Sequence, residues 1–307
     1  MSDIVITEFM DEAAVASLAG RDVLYDPTLV DRPDDLLAAL ADCRALVVRN
    51  RTQVRGDLLA AASRLRIVGR LGVGLDNIDV AACAARGVAV RPATGANDLA
   101  VAEYVITAAL MLLRRAWFAS AAVAAGEWPR MALIGQEAEG KTLGLVGFGA
   151  IARLTAAKAR ALGFKVVAHD PLLAADHPAW AGVRRLDLPS LLAASDVVSL
   201  HVPLTADTRR MIDAAAIEAM KPGAILVNAA RGGVVDEAAL VAALREGKLG
   251  GAAFDVFETE PLAAADGAAF ASVPNLVLTP HIAGVTEESN ARVSFVIAEA
   301  VAAALDA

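Results

Sequence analysis

The chain has 307 residues, enough for about two domains with a core each, and 57% of them are hydrophobic. Charge-free runs such as YVITAALMLL (104–113) still fall well short of the roughly 20 residues a membrane span needs, and a net charge of -8 opposes nonspecific binding to nucleic acid. Two cysteines, Cys43 and Cys83, make no disulfide framework, no Cys/His cluster has metal-ligand spacing, and MSDIVITEFMDE lacks an export signal, so a reducing cytoplasm and no metal are expected.

In chain order, short β-branched runs alternate with alanine- and leucine-rich helical segments: DIVIT, ALVVR, RIVGR and GVAV, then TLGLVG, KVVAHD, DVVSLHV, AILVNAA and NLVLTP. That alternation predicts parallel sheets covered by helices, an α/β class. Two stretches break the rhythm. DLAVAEYVITAALMLLRRAWF (98–118) reads as one long helix with an acid near its start, and residues 286–305 as another. A complete second set of strands lies between them. The division expected is therefore a first domain at 1–97, completed by the tail helix 286–307, and a second at 98–285.

In the first set, ALVV is followed by Arg49, Asn50 and Arg51. The i, i+2 spacing in an extended segment aims both guanidinium groups to one side, which suits an anion; two solvated loop arginines is the competing reading. LGVG (71–74) also places glycines after a strand, but it lacks the later small residue of a nucleotide-binding turn.

TLGLVGFGAIARLTAAKARALGFKVVAHD (142–170) has that turn complete. Gly147 permits the tight turn, Gly149 lets backbone approach a pyrophosphate, and the small Ala152 lets helix pack on strand. The helix that follows offers amides and a positive dipole end. Asp170, 21 residues after Gly149, ends the next strand, where a carboxylate accepts from both ribose hydroxyls and repels a 2'-phosphate. NAD is expected rather than NADP.

NAARGGVVDE (228–237) then ends an apolar strand with Arg231, two glycines and an acidic helix start. No carboxylate neighbours Arg231 locally. It is either a solvated turn cation or a clamp for a ligand carboxylate, which a planar guanidinium grips with two hydrogen bonds.

This fingerprint, together with HVPLTADT (201–208), NAARGGVVDE, AAFDVFETEP (252–261) and TPHIAG (279–284), resembles the D-isomer-specific 2-hydroxyacid dehydrogenases, and within them the phosphoglycerate dehydrogenase branch. VVRNRTQV (47–54), VGRLGVGLDNID (68–79) and NDLAVAE (97–103) extend the likeness through the first half. The resemblance implies a Rossmann-type doubly wound sheet for the second domain, a smaller flavodoxin-like α/β substrate domain, and a homodimer through the nucleotide domain. It implies His281 as acid/base, Glu260 as the carboxylate orienting it, and Arg231 as the substrate clamp, with the amides of Val73 and Gly74 completing a carboxylate cradle. For NAD it implies Ala150 and Ile151 at the pyrophosphate, Asp170 at the ribose, His201 and Thr208 near the adenosine half, Asp255 at the carboxamide, and Ala229, Arg231, His281 and Gly284 lining the site. The family often has Arg at Ala150 and Gly at Ala152, which puts a side-chain phosphate contact in doubt while leaving the backbone amides.

If Arg49 and Arg51 face the substrate, a second anion at C3 is expected, as in 3-phosphoglycerate or (S)-3-sulfolactate. EFMDEAAV, RNRTQV and AGVTEESN resemble the sulfolactate dehydrogenase subgroup. A hydroxypyruvate or glyoxylate reductase is the alternative enzyme, with Asp170 opposing the NADPH many of those use. A non-catalytic NAD-sensing corepressor-like protein is the alternative of another class.

Overall fold

The computed structural model describes residues 2–306, the side chain of Trp117 excepted. Met1 and Ala307, the outermost residues of the expected first domain, lie outside them. Contacts divide the chain into two compact units, one of Asp98–Gly284 and the other of the segments before and after it.

In the flanking segments five strands form a parallel sheet: β1 Ile4–Ile6, β2 Val23–Tyr25, β3 Ala45–Val48, β4 Ile67–Arg70 and β5 Ala89–Pro92, in the order β2-β1-β3-β4-β5. That is the flavodoxin-like order. The inner strands IVI and ALVV are apolar without alternation because both their faces are buried. On one face Ile4, Ile6, Val47 and Ile67 pack against Ile297 and Val301 of the tail helix Glu287–Asp306. On the other, Val5, Leu46 and Val68 meet Leu36, Leu40 and Leu59. Fully burying each such side chain contributes about 1.5–3 kcal/mol. The tail helix rides directly on β4, since a Cβ at Gly69 would stand 2.5 Å from the Ile297 side chain. Its start is fixed by a reciprocal cap, in which the Thr286 amide donates to Ser289 Oγ and the Ser289 amide to Thr286 Oγ1.

In Asp98–Gly284 seven parallel strands follow: β6 Thr142–Val146, β7 Lys165–His169, β8 Arg184–Arg185, β9 Val197–Leu200, β10 Ala224–Asn228, β11 Leu249–Phe254 and β12 Leu276–Leu278. Their order is β12-β11-β10-β9-β6-β7-β8, a doubly wound sheet whose direction of growth reverses between β6 and β9. The long helix is shorter than expected. It runs Asp98–Arg114 and stops where Arg115 turns left-handed (φ 52), and two short helical pieces follow. Among the described residues no helix is long and apolar enough to cross a membrane.

Candidate active site

In the doubly wound unit, every residue singled out from the sequence follows the carboxyl end of a strand, the edge where such sheets bind ligands. Gly147 and Gly149 follow β6, Asp170 β7, His201 and Thr208 β9, Ala229 and Arg231 β10, Asp255 and Glu260 β11, and His281 and Gly284 β12. The two turn glycines differ in kind. Gly147 has φ +88, and a Cβ there would come within 2.5 Å of the His201 carbonyl; a Cβ on Gly149 would meet nothing within 4 Å. One glycine is needed by the fold, and the other leaves a face open. The helix Ala150–Ala161 starts at Gly149 with no side-chain cap, so the amides of Ala150, Ile151 and Ala152 point out of its first turn. Open backbone and uncapped amides at the switch point fit a dinucleotide pyrophosphate.

Asp170 is more committed than expected. Its Oδ2 accepts from the Phe148 amide at 2.9 Å, and its Oδ1 accepts from the Leu172 and Leu173 amides at 2.9 and 3.2 Å. A ribose hydroxyl would share this carboxylate with those three amides. Thr208 is likewise engaged, its hydroxyl donating to the Pro203 carbonyl at 2.6 Å to close its own loop. His201 lies 3.0 Å from Ser199 Oγ, and burial pushes its imidazole down to about 4.

Beyond β11 and β12 the reactive groups meet. His281 Nδ1 lies 2.6 Å from Glu260 Oε2, and Glu260 Oε1 accepts from the Phe257 amide at 2.9 Å. Burial raises the Glu260 carboxyl, but the His281 bond, the Phe257 amide and the nearby Arg231 charge together hold it below the usual value. Arg231 thus has a carboxylate within electrostatic reach that its local sequence did not reveal. Gly232 makes the approach possible, because a Cβ there would lie 1.7 Å from the Phe257 carbonyl. Asn228 holds the turn, receiving the Ala230 amide and donating to the Arg231 carbonyl.

Asp255 is 1% exposed. Its backbone carbonyl, Oδ1 and Oδ2 accept in turn from the successive amides of His281, Ile282 and Ala283, at 2.8, 2.7 and 2.7 Å. This concave run of donors goes with the left-handed backbone of His281 (φ 57), an uncommon conformation for a side chain of that size. The carboxamide role expected of Asp255 therefore falls on a side chain whose oxygens already hold the histidine turn.

In the other unit the arginine pair does not form. β3 stops at Val48, and the amides of Arg49, Arg51 and Thr52 all turn in toward the Glu8 carboxylate at 2.9, 3.2 and 3.0 Å. Glu8 is 5% exposed, and a buried carboxylate needs those donors. The segment therefore bends where extension was expected, and the two side chains part. Arg51 runs outward to Asp31. Arg49 donates to Asn290 Oδ1 at 2.7 Å, lies over the Phe9 ring, and is lowered by burial. The amides of Val73 and Gly74 have no acceptor among the described residues.

A doubly wound sheet, a pyrophosphate turn and a carboxylate-bound histidine define a dinucleotide-dependent dehydrogenase. Residues 106–283 match the family described as D-isomer specific 2-hydroxyacid dehydrogenase, NAD binding domain. The chain is 56% identical to an (S)-sulfolactate dehydrogenase of Chromohalobacter salexigens, across 99% of both chains. It is 41% identical to a D-3-phosphoglycerate dehydrogenase of Mycobacterium leprae, over 99% of this chain but 57% of that one. A crystal structure of D-lactate dehydrogenase from Aquifex aeolicus, complexed with NAD and lactic acid, superimposes with a TM-score of 0.84 at 27% identity, covering 99% of this chain and 95% of that one. The chain belongs to the D-isomer specific 2-hydroxyacid dehydrogenases, and its cofactor is NAD.

Sequence reading passed over Thr279, Tyr104, Asn228, Gly232 and Glu8. Thr279 sits two residues before His281 in TPHIAG, and Gly232 is one of the two glycines of NAARGGVVDE. Nothing in the local sequence marks Tyr104 or Glu8, whose partners lie 175 and about 41–44 positions away.

Proposed function

We propose that this dehydrogenase interconverts (S)-3-sulfolactate and its 2-oxoacid, with His281 as the acid/base. The observation that carries the chemistry is the 2.6 Å contact between His281 Nδ1 and Glu260 Oε2. With Nδ1–H committed to the carboxylate, Nε2 is the nitrogen left to exchange a proton with the substrate hydroxyl. In oxidation Nε2 takes that proton, and Glu260 stabilises the imidazolium formed; in reduction the same nitrogen returns it. Bound NAD supplies the acceptor for the hydride that leaves C2. Arg231 grips the substrate carboxylate, a role its planar fork suits.

Full-length likeness to a sulfolactate dehydrogenase supports the substrate. Handedness agrees with it: the sulfur-bearing carbon outranks the carboxylate, so the arrangement called D in lactate is named S in sulfolactate. D-3-phosphoglycerate is the second reading, favoured by the M. leprae relative and by sharing the same pattern of carboxylate plus C3 anion. Of the expected arginine pair, we assign the C3 anion to Arg49, which Asn290 and Phe9 hold in place, and not to Arg51, which is engaged with Asp31. We also assign a homodimer in the cytoplasm. Trp128, Met131 and Ile134, exposed by 79, 77 and 63% within one short stretch, support a covering second copy, and the free buried Cys43 and Cys83 suit a reducing compartment.

Initial rates with NAD and (S)-3-sulfolactate, D-3-phosphoglycerate, D-glycerate and D-lactate test the reading. Sulfolactate is expected to exceed D-lactate in kcat/KM by about 10²-fold or more, the loss expected when a charged recognition site is left unpaired. Equal values for the two would defeat it. His281→Ala is expected to lower kcat by roughly 10² or more, and near-parent turnover would remove His281 from the mechanism.

A further inference from the structure

The histidine turn hangs on Asp255, and Asp255 does not stand alone. Its Oδ1 also accepts from Thr279 Oγ1 at 2.6 Å, and that oxygen lies 2.6 Å from Tyr104 Oη, on the helix Asp98–Arg114. Threonine has a single hydroxyl proton. Because it is given to Asp255, Tyr104 must be the donor in the second bond. A directed chain therefore runs from the tyrosine through Thr279 to the carboxylate, which also accepts from the amides that shape the loop at His281.

We infer that Tyr104 and Thr279 are positioning residues for the reaction, holding Asp255 as a carboxylate and thereby fixing the left-handed turn that presents His281. The inference rests on the acid/base reading of His281 and adds to it two residues that act through Asp255. Its physical basis is acceptor capacity. A carboxylate buried this deeply is kept charged by donors, and here these are one hydroxyl and two amides. Protonation would turn one of its oxygens into a donor facing an amide N–H, and the turn would open. Burial pushes the Asp255 carboxyl up, with Thr279 the first of the groups that oppose it, followed by the Ala283 and Ile282 amides and His281. Burial also pushes Tyr104 up to about 12, which keeps it a donor at any working pH. The titratable groups facing Asp255 are Tyr104 from the helix and His281 from its own loop; β10 presents the Asn228 carbonyl to its amide.

The test is kcat against pH, with NAD and whichever hydroxyacid turns over best, for the parent, Thr279→Val, Thr279→Ser and Tyr104→Phe. Thr279→Val is expected to lower kcat at neutral pH about tenfold or more and to move the acid limb of the profile about one unit toward higher pH. Thr279→Ser should restore the parent profile, and Tyr104→Phe should move the limb in the same direction by less. A Thr279→Val profile lowered by one factor at every pH, or unchanged, overturns the inference. Should that variant not fold, a Tyr104→Phe acid limb superimposed on the parent's overturns it. Loss of turnover in His281→Ala alongside an unmoved limb would leave the acid/base reading standing and sink only this one.

Discussion

His201 shows how a single half-buried group carries a pH signature. Its folded value of about 4 lies below the ordinary 6.5, so between those values the unfolded chain binds a proton that the folded chain does not. Stability from this residue is complete above 6.5 and is lost as pH falls toward 4, by up to about 3 kcal/mol. Urea unfolding of the parent and of His201→Asn over that window should diverge by this amount, and parallel curves would contradict it. The sign for Glu260 is also fixed: its carboxyl is depressed, so its contribution is present above the ordinary 4.5 and disappears as pH falls through the folded value. Gly147 and Gly149, alike in the fingerprint, should separate on substitution. Gly147→Ala is expected to destabilise by about 1–3 kcal/mol, since its φ and the His201 carbonyl both oppose a Cβ. Gly149→Ala should leave stability within about 0.5 kcal/mol of the parent and weaken NAD binding, measured by calorimetry, because its Cβ enters the space left for the pyrophosphate.

The secondary elements were legible wherever burial alone selects residue type. The uninterrupted apolar runs IVI, ALVV and AILV became central parallel strands because both faces of such a strand are covered. Where a tertiary partner decided the backbone, reading failed. RNR bends because Glu8, far away in sequence, draws in its amides, and the helix from Asp98 ends at Arg114 where an alanine-rich pattern gave no stop signal. The reciprocal cap at Thr286 and Ser289 starts the tail helix that covers β4. Thr286→Ala should cost about 1 kcal/mol, read from the urea midpoint, while leaving the NAD affinity of the other unit unchanged. A shift in that affinity would show that the cap serves more than its helix.

At the level of the chain, the proposed substrate reading rests on a residue of the flanking unit. Arg49→Ala should raise KM for a C3-charged hydroxyacid well above its effect on D-lactate, while Arg51→Ala should change both little, because Arg51 is engaged in an exposed, solvent-screened ion pair with Asp31. Equal responses in the two variants would remove Arg49 from specificity. For assembly, the parent should sediment as two copies, and the combined change of Trp128, Met131 and Ile134 to Ser should give one. A parent that sediments as a single copy sinks the dimer.

By itself the sequence determined the class of fold and the nucleotide turn, because each depends on local periodicity or on residues needed at fixed spacing, while Arg231, Glu260 and His281 stood out only through resemblance to a family. Only the tertiary structure decided which of those side chains meet. The 2.6 Å contact of His281 with Glu260, the approach of Arg231 that Gly232 permits, the parting of Arg49 from Arg51 and the Tyr104–Thr279–Asp255 chain all join residues from separate strands or loops. Buried polar groups must find partners wherever the packed chain supplies them, and linear spacing holds no record of that search.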